Sequence, residues 1–167
     1  MRGRSDAVMT ADRVLVAGFG NLLLGDDGFG VAVVRRLAGE SLPPGVEMME
    51  IGTGGMELVF GLLGGCRRLI VVDAVRRGHA PGTVSVFRPT EEDLRAGSGE
   101  EIDPHFAEPT RAMTMAKRLG CLPDDVTIVG CEPETCELDL SLSPRVHAAV
   151  GEAVLRVRAV LEDKHAV

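Results

Sequence analysis

The chain has no tryptophan, no tyrosine and only five phenylalanines among its 167 residues. Bases are held on aromatic faces, so stacking platforms for nucleic acid are nearly absent. Positive charge is also short: 18 Lys and Arg against 25 Asp and Glu leave a net charge of -7. The arginines are scattered and form no basic stripe. Both features disfavour nucleic acid and anionic membrane surfaces as partners. No apolar run approaches the about 20 residues that a membrane span needs. Met1 to Asp12 carries arginines but no apolar segment of signal-peptide length, and reads as a short disordered leader. The expected location is the cytoplasm. Four cysteines occur, Cys66, Cys121, Cys131 and Cys136. None forms Cys-x-x-Cys, and none has a nearby histidine at zinc-finger spacing. Buried or idle thiols in a reducing compartment are favoured over a metal site.

What is present is an alternation of strand and helix signals, read as one domain over residues 13–163. A chain of this size buries roughly 70% of its unfolded surface, so it needs no disulfide staples. Strands are expected at Arg13–Ala17, Val46–Ile51, Arg68–Asp73, Thr83–Phe87 and Val126–Val129. Leu69-Ile70-Val71-Val72 is the clearest buried strand, continuous and rich in β-branched residues, whereas Thr83–Phe87 alternates as an edge or antiparallel strand does. Helices are expected at Phe29–Ala38, Met56–Leu63 and Pro109–Leu119, with a last one opened by Ser143 as N-cap and Pro144. Val31, Val34 and Leu37 recur at helical spacing in the first, and Val146, Val150, Val154, Val157 and Leu161 in the last. Glu91–Asp103 lacks any period and reads as a surface loop, and Cys131–Leu142 as an extended loop. The predicted architecture is an α/β three-layer sandwich around a mainly parallel five-stranded sheet, with helices on both faces.

Chemistry concentrates after the first strand, in Gly18-Phe19-Gly20-Asn21-Leu22-Leu23-Leu24-Gly25-Asp26-Asp27-Gly28-Phe29-Gly30. An apolar run feeding a Gly-x-Gly turn hands a buried parallel strand over to a helix, at the sheet edge where open α/β folds place ligands. Phosphate sites keep that place free of acids, so two carboxylates there argue for a cation. A dinucleotide fingerprint fails on spacing, because Leu23 stands where its third glycine belongs. Asp73 closes the third strand and His105 opens a helix junction. Two carboxylates and an imidazole meeting on one rim make an O/O/N site for a divalent transition metal. The plainer readings are an N-cap role for Asp26 or Asp27 and an Asx turn at Asp73. His79, His147 and His165 read as structural, and Glu132 and Glu134 as solvated loop charge.

The ordered set of motifs resembles one family. Gly18-x-Gly20-Asn21-x-Leu23-x-x-Asp26-Asp27-x-x-Gly30 is followed by Gly52-Thr53-x-Gly55-Met56-Glu57-Leu58, Val72-Asp73-Ala74 and Pro81-Gly82-Thr83. Then come Pro104-His105, Val129-Gly130 with Pro133-Glu134, and Leu142-Ser143-Pro144. This pattern, from Val14 to Leu161, is similar to the hydrogenase maturation proteases, the endopeptidases that finish the large subunit of NiFe hydrogenases. The resemblance implies a twisted five-stranded α/β fold and a nickel-dependent clipping of a C-terminal extension from the large-subunit precursor. It implies metal-contacting and catalytic roles for Asp27, Asp73 and His105, with nickel residing in the precursor and shared transiently. Asp27 stands where some members carry Glu. A non-catalytic nickel-binding chaperone of the precursor and a doubly wound nucleotide-binding enzyme are the alternatives.

Overall fold

A computed structural model describes residues 12–96 and 107–163. The expected leader before Asp12, the end of the expected loop through Asp103, His105 and His165 lie outside the described residues. The elements in order are β1 (Val14–Phe19), a 3-10 turn (Gly25–Gly28), α1 (Phe29–Ala38), β2 (Val46–Ile51), α2 (Met56–Leu63) and β3 (Arg68–Ala74). Then follow β4 (Val84–Phe87), α3 (Glu91–Ala96), α4 (Ala107–Arg118), β5 (Asp125–Cys131) and α5 (Pro144–Glu162).

The strands form one sheet in the order β2-β1-β3-β5-β4, all parallel except β4, which runs antiparallel to β5 at the edge. Side chains alternate across it. Val16, Ile70, Val72 and Val129 pack with Phe29, Val33 and Leu37 of α1 and Val146, Val150 and Val154 of α5. Leu15, Ala17, Leu69, Val71 and Ile128 pack on the other face with Leu58 and Leu62 of α2 and Met113 and Ala116 of α4. The sheet is covered on both faces, which is why β1 and β3 are buried along their whole length and read as unbroken apolar runs. The three-layer α/β sandwich expected from the sequence is the fold observed.

One expected loop is in part a helix: residues 91–96 form α3. Thr90 and Asp93 make a capping box, in which Thr90 Oγ1 accepts from the Asp93 N–H (3.1 Å) and Asp93 Oδ2 accepts from the Thr90 N–H (2.7 Å). Leu94, buried on α3, docks the turn onto the α4 face. At the far end of the sheet Arg68, 1% exposed, pairs with Asp125 and donates to the carbonyls of Val160 and Asp163 (3.0 Å to the latter). The C-terminal turn of α5 is thereby clipped to β3. Among the described residues no helix is long and apolar enough to cross a membrane.

Candidate active site

The site is built where β1 and β3 end side by side. Gly18 of β1 stands opposite Val72 of β3 in the parallel register, so Asp73 lies one step further towards the carboxyl rim. A Cβ on Gly30 would come within 2.1 Å of the Val72 carbonyl oxygen and 2.4 Å of that of Phe19. Only glycine permits α1 to start this close to both strands. The 3-10 turn preceding the helix consequently lies against β3. That contact brings the turn bearing Asp26 and Asp27 to the same rim as Asp73.

Gly20 has φ of 134°, and a Cβ there would overlap the Asp27 carbonyl oxygen at 1.7 Å. The chain folds back so tightly that the Asn21 N–H donates to Asp27 Oδ2 (2.8 Å), and the Leu23 N–H to Asn21 Oδ1 (2.9 Å). Asp27 is half-buried and Asp73 is 2% exposed within β3. His105, the third expected member, lies outside the described residues. Among the described residues no three His, Cys, Asp or Glu side chains form a cluster able to hold a metal ion.

Asp26 has a different job from its neighbour. It is fully buried and accepts from the Glu134 N–H (2.8 Å), the Thr135 N–H (3.1 Å), the Ser143 N–H (2.6 Å) and the Ser143 hydroxyl (2.9 Å). Its carboxylate thus joins the first turn to the loop after β5 and to the start of α5. Gly28 occupies the N-cap of α1, so the N-cap role weighed for Asp26 or Asp27 is not theirs. Ser143 does stand at the N-cap of α5, yet its side chain makes no capping bond, because its hydroxyl is turned to Asp26.

Glu132 departs from expectation too. It is 8% exposed, and its Oε2 accepts from the Arg77 and His79 N–H groups at 2.8 and 3.2 Å, holding the turn that follows β3. Glu134 is exposed as expected, and so are the side chains of His79 and His147. The cysteines are free thiols. Burial pushes Cys131 up to about 12, assisted by the negative charge of Asp26. Burial and then the charge of Asp27 push Cys136 up to about 11, although the positive charge of Arg76 pulls the other way. Thiols so raised are poor nucleophiles and poor metal ligands at neutral pH. Cys136 is therefore an electrostatic neighbour of Asp27.

The sequence model described as hydrogenase maturation protease matches residues 31–159. The hydrogenase 2 maturation protease of Escherichia coli is 36% identical over 153 residues, 90% of this chain and 92% of that protein. The coenzyme F420 hydrogenase subunit delta of Methanothermobacter thermautotrophicus is 32% identical over 151 residues, 84% and 89% of the two chains. Among solved structures, the hydrogenase maturating endopeptidase HybD of E. coli superposes with a TM-score of 0.79 at 35% identity, covering 92% of this chain and 94% of that one. With the family model matched over residues 31–159 and the E. coli maturation protease similar in sequence and fold along nearly its full length, the chain belongs to the hydrogenase maturation protease family.

Proposed function

We propose that this protease removes a C-terminal extension from the large-subunit precursor of a NiFe hydrogenase, after nickel has been installed in that precursor. The observation that carries the reading is the adjacency of β1 and β3, which sets the turn of Asp27 and the carboxylate of Asp73 on one rim. His105 would be the third member. Two carboxylates and an imidazole are a donor set suited to a divalent transition ion.

In this reading nickel belongs to the substrate, and Asp27, Asp73 and His105 offer it a partial set of ligands. When bound, it would supply Lewis acidity and a fixed point of attachment. A partial set gains binding free energy only from a metallated precursor, which makes cutting wait for metal insertion. Asp27 is oriented by the Asn21 N–H. Where nickel serves only as the recognition tag, Asp27 and Asp73 would instead hold a water, take its proton as it attacks the scissile carbonyl, and return that proton to the leaving amine.

The extended tail would lie along Gly52–Gly55, at the carboxyl end of β2. A Cβ on Gly52 would meet nothing within 4 Å, so packing does not demand glycine there, and the open backbone suits a peptide's close approach. The cytoplasm, where the precursor is made, is the place of action.

The test is mass spectrometry of purified nickel-loaded and nickel-free precursor, each mixed with this protein. Loss of a C-terminal fragment from the loaded form alone is expected, and an intact loaded precursor would sink the reading. Asp27→Asn and His105→Ala proteins should melt like the parent and leave the precursor uncut.

A further inference from the structure

Beside Asp27 lies an apolar surface that the chemistry of the rim does not use. Leu23, Leu138 and Leu140 are 54%, 84% and 80% exposed, with Leu22 next to them at 40%. They come from two segments distant in sequence, bound to each other by backbone. The Asp139 N–H donates to Leu23 O (3.1 Å) and the Gly25 N–H to Asp139 O (2.8 Å), forming a parallel bridge between Leu24 and Asp139. Asp26 clamps the same loop from beneath through Glu134, Thr135 and Ser143. The leucines are thus presented by hydrogen-bonded backbone, and clustered exposed apolar groups on a fixed frame mark an interaction site. Exposed carboxylates edge them: Glu134, Glu137 and Asp139 share the loop and outweigh the neighbouring Arg76. The stripe Met56, Phe60 and Leu63 on α2 is exposed as well, but nothing in the structure selects its occupant.

We propose that Leu22, Leu23, Leu138 and Leu140 form a docking surface for the folded body of the hydrogenase precursor, engaging an apolar patch of it bordered by lysine or arginine. The charge pattern commits the partner: an apolar patch with basic margins meets both the leucines and the carboxylates. Continuity with Asp27 commits the place, because Asn21 bonds Asp27 while Leu23, two residues on, bonds Asn21. A precursor seated on the leucines has its C-terminal tail at the rim. The inference rests on the precursor being the substrate, and it adds how that substrate is gripped.

The experiment uses the full chain, kept from cutting by Asp27→Asn in every protein compared, and purified nickel-loaded precursor in a calorimeter. Adding Leu23→Ser, Leu138→Ser and Leu140→Ser should weaken binding about tenfold or more, since a few anchors carry most of an interface. The melting temperature should not move, because these side chains are exposed. Glu134→Lys with Glu137→Lys should also weaken binding, by a factor that shrinks as salt is added. Affinity untouched by the leucine changes would overturn the docking surface while leaving the cleavage reading intact. So would leucine changes that only convert a dimer into a monomer in light scattering, which would assign the surface to a second copy of the chain. A parent protein that neither binds nor cuts the precursor would overturn both.

Discussion

Asp26 holds Ser143 by two bonds, one from its backbone N–H and one from its hydroxyl, at 2.6 and 2.9 Å across 117 residues of chain. Its neighbour Asp27 turns instead to Asn21. Two adjacent aspartates therefore divide into a structural clasp and a rim carboxylate, and each should answer differently to substitution.

Asp26→Ala removes the buried acceptor of three backbone N–H groups and one hydroxyl. Groups left unsatisfied cost about 1–3 kcal/mol each, so a loss on the order of 3 kcal/mol or more is expected in urea unfolding. Asp27→Asn keeps the shape at a half-buried position and should change stability by less than about 1 kcal/mol while abolishing processing. An Asp26→Ala protein as stable to urea as the parent would refute the clasp.

Gly30→Ala should separate α1 from the strands. The new Cβ meets backbone oxygens of Val72 and Phe19 at 2.1 and 2.4 Å, and backbone yields less readily than side chains. The destabilisation should reach the upper end of the roughly 1–3 kcal/mol typical of overpacking. Precursor cutting should fall as well, because the turn bearing Asp27 moves with the helix. Thermal melting and a processing assay on the same preparation check both.

Glu132→Ala should free the turn after β3 by leaving the Arg77 and His79 N–H groups without their acceptor. About 1–3 kcal/mol of stability is at stake. Glu132→Gln retains an acceptor oxygen and should recover most of it. Equal stability of the two variants in chemical denaturation would contradict this role.

The alkaline limb of stability should belong to thiols. The chain has no tyrosine and two lysines, Lys117 and Lys164, so little else titrates between pH 9 and 12. Cys131 lies at about 12 in the fold against 9.0 for a free thiol. Its stabilisation is thus complete below about pH 9 and lost as pH rises towards 12, since the unfolded chain releases the proton first. Cys131→Ala should flatten this limb in melting curves taken from pH 8 to 11. Cys136, raised partly by the charge of Asp27, should react faster with iodoacetamide at pH 9 once Asp27→Asn removes that charge. An unchanged rate would mean that Asp27 does not influence it.

Much of this molecule is written locally. The bounds of α1, β2 and α2 agree with their apolar periodicity, and β3 announces itself through Leu69–Val72. That the turn bearing Asp26 and Asp27 lies against β3 followed from two strongly buried strands being neighbours. The misses have physical causes. Thr90 and Asp93 spell a capping box with Asp where Glu or Gln is usual, so α3 passed for loop. Ser143 signalled an N-cap by position, but its hydroxyl is drawn away by a carboxylate far back in the chain. Glu132 looked like solvated charge because nothing near it in sequence reveals that the Arg77 and His79 amides approach it. Long-range polar pairings such as that of Asp26 leave no local trace.

Helix α5 runs 19 residues, about 28 Å at 1.5 Å per residue. A buried anion, Asp26, sits at its amino end and a buried cation, Arg68, at its carboxyl end, each of the sign that its dipole favours. Withdrawn from solvent, these two anchors are screened little by added electrolyte. Concentrated salt that strips a precursor from the acidic margin should therefore leave the strut itself, and the leucine-bearing loop it braces, in place.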